Sequence, residues 1–263
     1  MSIVNQRLGT QTVTKSFFQY FIPTLLGMML MSVNIVIDGI FVGNGVGAVA
    51  LASVNIAVPV FSIIISVALL IGIGGGTLYS MSMGENNLKQ AQRIFSISMV
   101  LLTIITVTIA LISYLNIELL ARLFGANEET LPYVIDYMEI LLLFSLVLAL
   151  ETCLSIFVRN DGAPQLATLG LVITAILNIG LNYWMIFILK WEVTGAALAT
   201  VIATAAGLLI YTVHFLMEGS GLKFVRFKWN RRDIITISAI GFPSFLSEAG
   251  MGVFVMGFLS QSA

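Results

Sequence analysis

Long apolar runs separated by short polar connections dominate the chain. A helix that crosses the hydrocarbon core of a bilayer needs about 20 mainly apolar residues, and seven stretches reach that length. They cover roughly 17–42, 53–81, 94–115, 133–157, 166–189, 194–217 and 233–258. Each is apolar on all sides rather than along one stripe, as a span in lipid is and a surface helix is not. Strands of a membrane barrel would alternate apolar and polar residues in segments of about 10, and these runs do not. The pattern predicts an all-α polytopic membrane protein. The first run is too long for the apolar region of a signal peptide and contains Pro23, so it reads as a span and not as a cleaved leader.

Composition agrees. Of 263 residues, 59% are hydrophobic and 10% charged, against about 25% charged in soluble domains. A soluble enzyme, a disordered chain and a disulfide scaffold are excluded. The single cysteine, Cys153, allows no internal disulfide, and the single histidine, His214, excludes metal sites built on several histidines. A net charge of −1 offers nothing to nucleic acid. No G-x-x-x-x-G-K-[ST] occurs, so ATP is not expected to drive the protein. G-I-G-G-G-T (Gly72–Thr77) approaches a dinucleotide fingerprint but lies inside a span. Close helix packing through Gly72 and Gly76, and likewise through Gly39 and Gly43, is the better reading. We expect no cofactor, no enzymatic activity, and a monomer whose partner is the bilayer.

The distribution of cations sets the threading. Arg7, Lys15, Lys89, Arg93, Arg159, Lys223, Arg226, Lys228, Arg231 and Arg232 fall on the N-terminal side, and only Arg122 and Lys190 on the other. Lys and Arg favour the cytoplasmic side, which places the N-terminus in the cytoplasm of a plasma-membrane protein.

Residues 1–217 then form a unit of six spans. Residues 218–232 are a basic cytoplasmic connection similar to an inter-lobe linker, with a plain anchor near anionic lipid as the alternative. Residues 233–263 carry a seventh span that echoes the first: I-P-T-L-L (Ile22–Leu26) reads against F-P-S-F-L (Phe242–Leu246) at an offset of 220 residues. Such repeats are common in secondary transporters. They suggest a fragment: one six-helix N-lobe plus the first helix of a truncated C-lobe, in a protein of about twice 220 residues.

Ionisable residues inside a membrane are costly and mark function. Asp38 lies late in the first span, with Asn34 one turn earlier on the same face. Glu248 lies near the middle of the seventh span. Glu151 lies in the inner half of the fourth, with Arg159 near enough to be a structural partner. Glu139, close to the outer boundary, reads as an interface residue. Asn178 and Asn182 share a face of the fifth span, and Thr200 lies in the sixth. Counted at 1.5 Å per residue, Asp38, Thr200 and Asn182 sit about 6, 9 and 10 Å inside the outer helix ends, in one layer. A carboxylate among amide and hydroxyl oxygens suits a proton or Na⁺. Helix-to-helix hydrogen bonding is the alternative for the Asn and Thr side chains.

Several segments taken together resemble the multidrug and toxic-compound extrusion (MATE) family, in its bacterial DinF/MepA-like branch. They are I-D-G-I-F-V-G-N-G-V-G-A-V-A-L-A-S-V-N (Ile37–Asn55), G-G-G-T-L-Y-S-M-S-M-G-E-N-N-L-K-Q-A (Gly74–Ala91), R-N-D-G-A-P-Q-L-A (Arg159–Ala167), L-N-I-G-L-N (Leu177–Asn182) and G-F-P-S-F-L-S-E (Gly241–Glu248). The resemblance implies 12 helices in two lobes around a V-shaped cavity. It implies export of amphipathic, mostly cationic compounds against inward flow of H⁺ or Na⁺. It makes Asp38 the coupling acid of the N-lobe, with Asn178 and Thr200 beside it, and puts Glu248 at the acid position of the C-lobe. Family members often carry Asp where this chain has Asn182. The exchange removes a charge from a Na⁺ site at Asp38, Asn178, Asn182 and Thr200, and H⁺ is the favoured coupling ion. Without the rest of a C-lobe the cavity lacks a wall, and the fragment alone is expected to be inactive.

Three other functions compete with this reading. A lipid-linked oligosaccharide flippase of the same superfamily would favour basic residues inside the membrane, and none is evident. A seven-helix receptor is a different class; a retinal protein would need a lysine in the seventh span, which has none. An intramembrane protease lacks its motifs.

Overall fold

The computed structural model describes residues 13–217 and 219–262, with only part of the side chains in the first and last helices. No strand occurs among the described residues. The helices are α1 (Val13–Gly45), α2 (Ala48–Gly84), α3 (Leu88–Leu115), the short α4 (Ile117–Leu123), α5 (Leu131–Leu143), α6 (Ser145–Asn160), α7 (Pro164–Asn182), α8 (Glu192–Val213) and α9 (Arg231–Ser262). Every predicted span falls on one of them or on a pair. Among the described residues five helices are long and apolar enough to cross a membrane, or six when α5 and α6 count as one span. The first predicted span falls on the 33-residue α1, where the side chains of Pro23, Thr24 and Leu26 lie outside the described residues.

The fourth span is not one straight helix. α5 and α6 meet at Phe144 with a bend of 55°. No proline or glycine marks that point. The fifth span continues past Asn182 as a wide π-helical turn, Tyr183–Ile188, a geometry often found at functional sites.

α2 is the central post. Its glycine run serves a different neighbour at each position. A Cβ on Gly72 or Gly76 would press on Ile156 and Asn160 of α6, one on Gly75 on Ser98 of α3, and one on Gly74 on the Ile237 carbonyl of α9. The packing expected of Gly72 and Gly76 is present; Gly39 and Gly43 make looser contact with Leu51 (3.9 and 3.3 Å from a Cβ to its methyls). α9 lies along α2, where Gly241 abuts the Leu70 carbonyl and Gly252 abuts Ser62. Dense backbone approach of this kind drives helix association where lipid removes the hydrophobic incentive.

The antiparallel threading gathers Lys89, Arg93, Arg159, Lys223, Arg226, Lys228, Arg231 and Arg232 at one end of the bundle, here called the basic end. Arg122 and Lys190 lie at the far end, where Arg122 pairs with Glu118 (3.1 Å) and Glu128 (2.8 Å). Arg7 lies outside the described residues. The connection before α9 is laid onto the bundle: Leu222 is buried, Val225 N–H donates to Ser96 Oγ (2.9 Å), and the Phe224 ring lies 5.0 Å from that of Phe95.

Candidate functional site

The polar layer predicted from helix depth is assembled by contact between α1, α7 and α8. Asn182 Nδ2 donates to Asp38 Oδ1 at 2.7 Å and to Asn178 Oδ1 at 3.0 Å. Asn178 Nδ2 donates to Thr200 Oγ1 (3.2 Å), which donates to the Ala196 carbonyl (3.1 Å). The Asn34 amide, oriented by its neighbours, turns its nitrogen toward Asp38 Oδ2 (3.1 Å) and Asn178 Oδ1 (2.8 Å). Five predicted residues, Asp38, Asn34, Asn178, Asn182 and Thr200, therefore form one network. Residues 144 positions apart meet in it because α1 packs against α7.

The surroundings are apolar. Asn178 and Asn182 are buried, and the π-helical turn starts immediately after Asn182. Its Ile186 fills the space that Gly45 leaves at the end of α1. Phe41, Tyr183 and Phe187 close the far side, with ring centroids 5.5–6.3 Å apart. Tyr137 of α5 is within electrostatic reach of Asp38. Reading the sequence overlooked Tyr137, since nothing separates it from the neighbouring aromatic Tyr133 until the helices are packed. One polar atom in the layer has no partner, the buried Asn182 Oδ1. Among the described residues no group of three or more His, Cys, Asp or Glu side chains could hold a metal ion.

The other two predicted acids lie elsewhere. Glu248 is half-buried on α9, and no hydrogen bond reaches it among the described residues. Glu151 is buried between α6, α7 and α8, facing Tyr211. Tyr211 in turn lies within electrostatic reach of Arg159. Glu139 accepts from Tyr114 Oη (3.0 Å) on the exposed surface.

A second buried cluster was not anticipated. Asp161, at the end of α6, accepts from Tyr79 Oη (2.5 Å) and the Gly221 N–H (2.9 Å), and lies 2.7 Å from His214 Nε2. It joins α2, α6 and the end of α8 to the connection before α9. Asp161 lies in the R-N-D-G-A-P-Q-L-A segment, which was read only as part of the family resemblance. The lone histidine 53 residues away gave no sign of being its partner.

The sequence profile of the MatE family matches residues 23–184, which hold Asp38, Asn34, Asn178 and Asn182. The chain belongs to the MatE family. It is 28% identical over 246 residues to the multidrug export protein MepA of Staphylococcus saprophyticus, covering 92% of this chain and 54% of that protein. It is also 28% identical to the Staphylococcus aureus MepA, over 91% of this chain and 54% of the relative. The chain thus spans about half the length of the curated relatives it matches. Among solved structures, a MATE transporter in complex with MaD3S aligns with a TM-score of 0.84 at 28% identity, covering 91% of this chain and 54% of that one. An outward-facing multidrug resistance MATE transporter of the MOP superfamily aligns at 0.84 and 28% identity, covering 91% and 53%. A Pyrococcus furiosus MOP superfamily transporter, whose binding pocket of reversed polarity suggests a different function, aligns at 0.83 and 27% identity, covering 91% and 53%.

Proposed function

We propose that this MatE chain is the N-terminal six-helix lobe, with the following helix, of a secondary exporter of amphipathic, mostly cationic compounds. Its basic end faces the cytoplasm, and proton entry at Asp38 drives the cycle. The observation that carries the reading is the hydrogen-bonding of Asp38, which joins α1 to α7 through amide nitrogens of Asn182 and Asn34. Charged, the carboxylate accepts both amides and ties the helices together. Protonated, it loses acceptor capacity and gains an O–H to donate. The amides must then turn, and Asn182 Oδ1, unpartnered in the present arrangement, is available to accept. Neutralisation at one oxygen thereby changes how two spans are held, and a ligand with different affinity for the two arrangements shifts their balance.

The same geometry favours H⁺ over Na⁺. A sodium ion needs several oxygens turned toward it. Here amide nitrogens face the carboxylate, and Asn178 Oδ1 is engaged by Asn182 and Asn34. Cationic cargo is supported by the sign of the charges within the spans: Asp38, Glu151 and Glu248 are acidic, while the described cations sit at helix ends or beyond them. A monomer, with lipid and drug-like solutes as its partners, fits this reading.

The test is dye efflux from proteoliposomes holding the full two-lobed protein of which this chain is proposed to be the first half, with ethidium as the cationic probe and proton and sodium gradients imposed separately. A proton gradient should drive efflux. Asp38→Asn should abolish it while ethidium binding stays measurable. Efflux under a sodium gradient alone would overturn the H⁺ assignment, and efflux at the native rate in Asp38→Asn would remove Asp38 from coupling.

A further inference from the structure

The face of α7 that carries Asn182 and Asn178 continues, at four-residue steps, through Thr174 and Gly170. The opposing face of α8 carries Thr200, Thr204, Gly207 and Tyr211. The two faces meet along their length. Asn178 bonds Thr200, Gly207 lies against Thr174, and Gly170 lies against the Tyr211 ring. A polar seam therefore runs from the Asp38 layer toward the basic end, and Glu151 of α6 closes against it.

Two side-chain oxygens in this seam are sealed from solvent and have no hydrogen-bond partner: Glu151 Oε1 and Thr174 Oγ1. Both converge on Gly207. A Cβ there would collide with Thr174 Oγ1 and lie 3.2 Å from Glu151 Oε1 and 3.5 Å from the Gly170 carbonyl. The Thr174 hydroxyl takes the place that a side chain on residue 207 would fill, so a hydroxyl, a carboxyl oxygen and a carbonyl gather at this glycine. Buried polar atoms rarely go unpaired, and two orphaned oxygens beside a carbonyl suit a water held by two to four polar partners. Glu151 itself is only 7% exposed. Tyr211 is the titratable group that faces it, and Arg159 lies within electrostatic reach of Tyr211.

We infer that Glu151 and Thr174 hold a bridging water over Gly207 and form a second protonation station, which takes the proton from the Asp38 layer toward the basic end. The inference rests on the reading of Asp38 as the coupling acid. In the forward step the hydrated proton loses H⁺ to Glu151 Oε1. One O–H bond breaks on the hydronium and one forms on the carboxyl, water is regenerated, and Glu151 passes from −1 to neutral. The reverse step, past Tyr211, delivers H⁺ to the basic end and restores the carboxylate. Thr174 donates to the water or accepts from it. In the present arrangement Asn178 donates to Thr200, and Thr174 Oγ1 is unpartnered.

The experiment is infrared difference spectroscopy of the full chain in lipid nanodiscs across a pH titration, following the C=O stretch of protonated carboxyls. Glu151→Gln should delete one band that Asp38→Asn leaves in place. Thr174→Val and Gly207→Ala, which add no titratable group, should each shift that band; they report on the bridging water even if Glu151→Gln fails to fold. In the ethidium assay, Glu151→Gln should slow proton-driven efflux by roughly tenfold or more without changing ethidium affinity, and Glu151→Asp should restore part of the rate. The inference is overturned if no titrating band depends on Glu151, if the band ignores both Thr174→Val and Gly207→Ala, or if Glu151→Gln exports at the native rate. Loss of efflux in Asp38→Asn with native efflux in Glu151→Gln would remove only the second station. Native efflux in Asp38→Asn would remove the coupling reading on which it rests.

Discussion

Asn182 bonds Asp38 and Asn178 with one nitrogen and keeps a buried oxygen in reserve. Restoring a second acid there tests the choice of ion. In Asn182→Asp, two carboxylates would face each other across the α1–α7 contact, and both cannot stay charged without a cation between them. We expect this variant to be stabilised by NaCl over KCl at equal ionic strength, and the native chain to show no difference. Thermal unfolding in nanodiscs is the readout. Equal response to both salts in the variant would remove the argument from charge. Asp38, Asn34, Asn178, Asn182 and Thr200 were legible as a set, because intramembrane polarity is rare and helix rise places each one at a depth. Tyr137 and the orphaned oxygen of Thr174 were not, since a tyrosine or threonine in a span is ordinary until packing shows which way it points.

At the level of elements, the spans were read to within a few residues, but their irregularities were not. The 55° break at Phe144 and the π-helical turn after Asn182 lack a proline or glycine to announce them; they arise from how neighbouring helices fit. The glycines of α2 and α9 behave in the opposite way, being visible in sequence and explained by contact. Gly241→Ala would drive a methyl into the Leu70 carbonyl, and backbone cannot swing aside as a flexible side chain can. A loss of about 1–3 kcal/mol is expected, as for other overpacked sites, seen as a lower melting temperature in nanodiscs. Gly250→Ala is the matched control. A Cβ there meets nothing within 4 Å, and the better helix propensity of alanine should leave stability level or slightly raised. Equal melting of the two variants would mean that the α2–α9 seam carries no strain.

Across the whole molecule, the connection before α9 is a fastened strap. Asp161 holds it through Gly221 and Ser220 (3.3 Å) while also engaging Tyr79 and His214. Removing the carboxylate strands several buried donors, each costing about 1–3 kcal/mol. Single cysteines at Lys223 and Glu129, in a Cys153→Ser background, would report the orientation. On intact cells an impermeant thiol reagent should label position 129 and spare 223. On inverted membranes it should label 223, and Asp161→Ala should speed amide hydrogen exchange at the buried Gly221 by roughly tenfold, the equivalent of about 1.4 kcal/mol of easier opening. Labelling of 223 from outside would reverse the proposed orientation, and an unchanged rate in Asp161→Ala would show that the strap is held by Leu222 and Phe224 instead.

Sequence alone determined the class of the protein, its spans, the sorting of cations to one end and the depth of each polar residue. These follow from properties of single segments: apolar length against bilayer thickness, local charge, and rise per residue. Tertiary structure alone decided which polar atoms meet and which stay unpaired. It brought Tyr211 against Glu151, tied Asp161 to a histidine 53 residues away, and gathered the Thr174 and Glu151 oxygens at Gly207. The rotation of one helix against another is an outcome of side chains fitting together, and a single segment carries no record of the face its neighbour will choose.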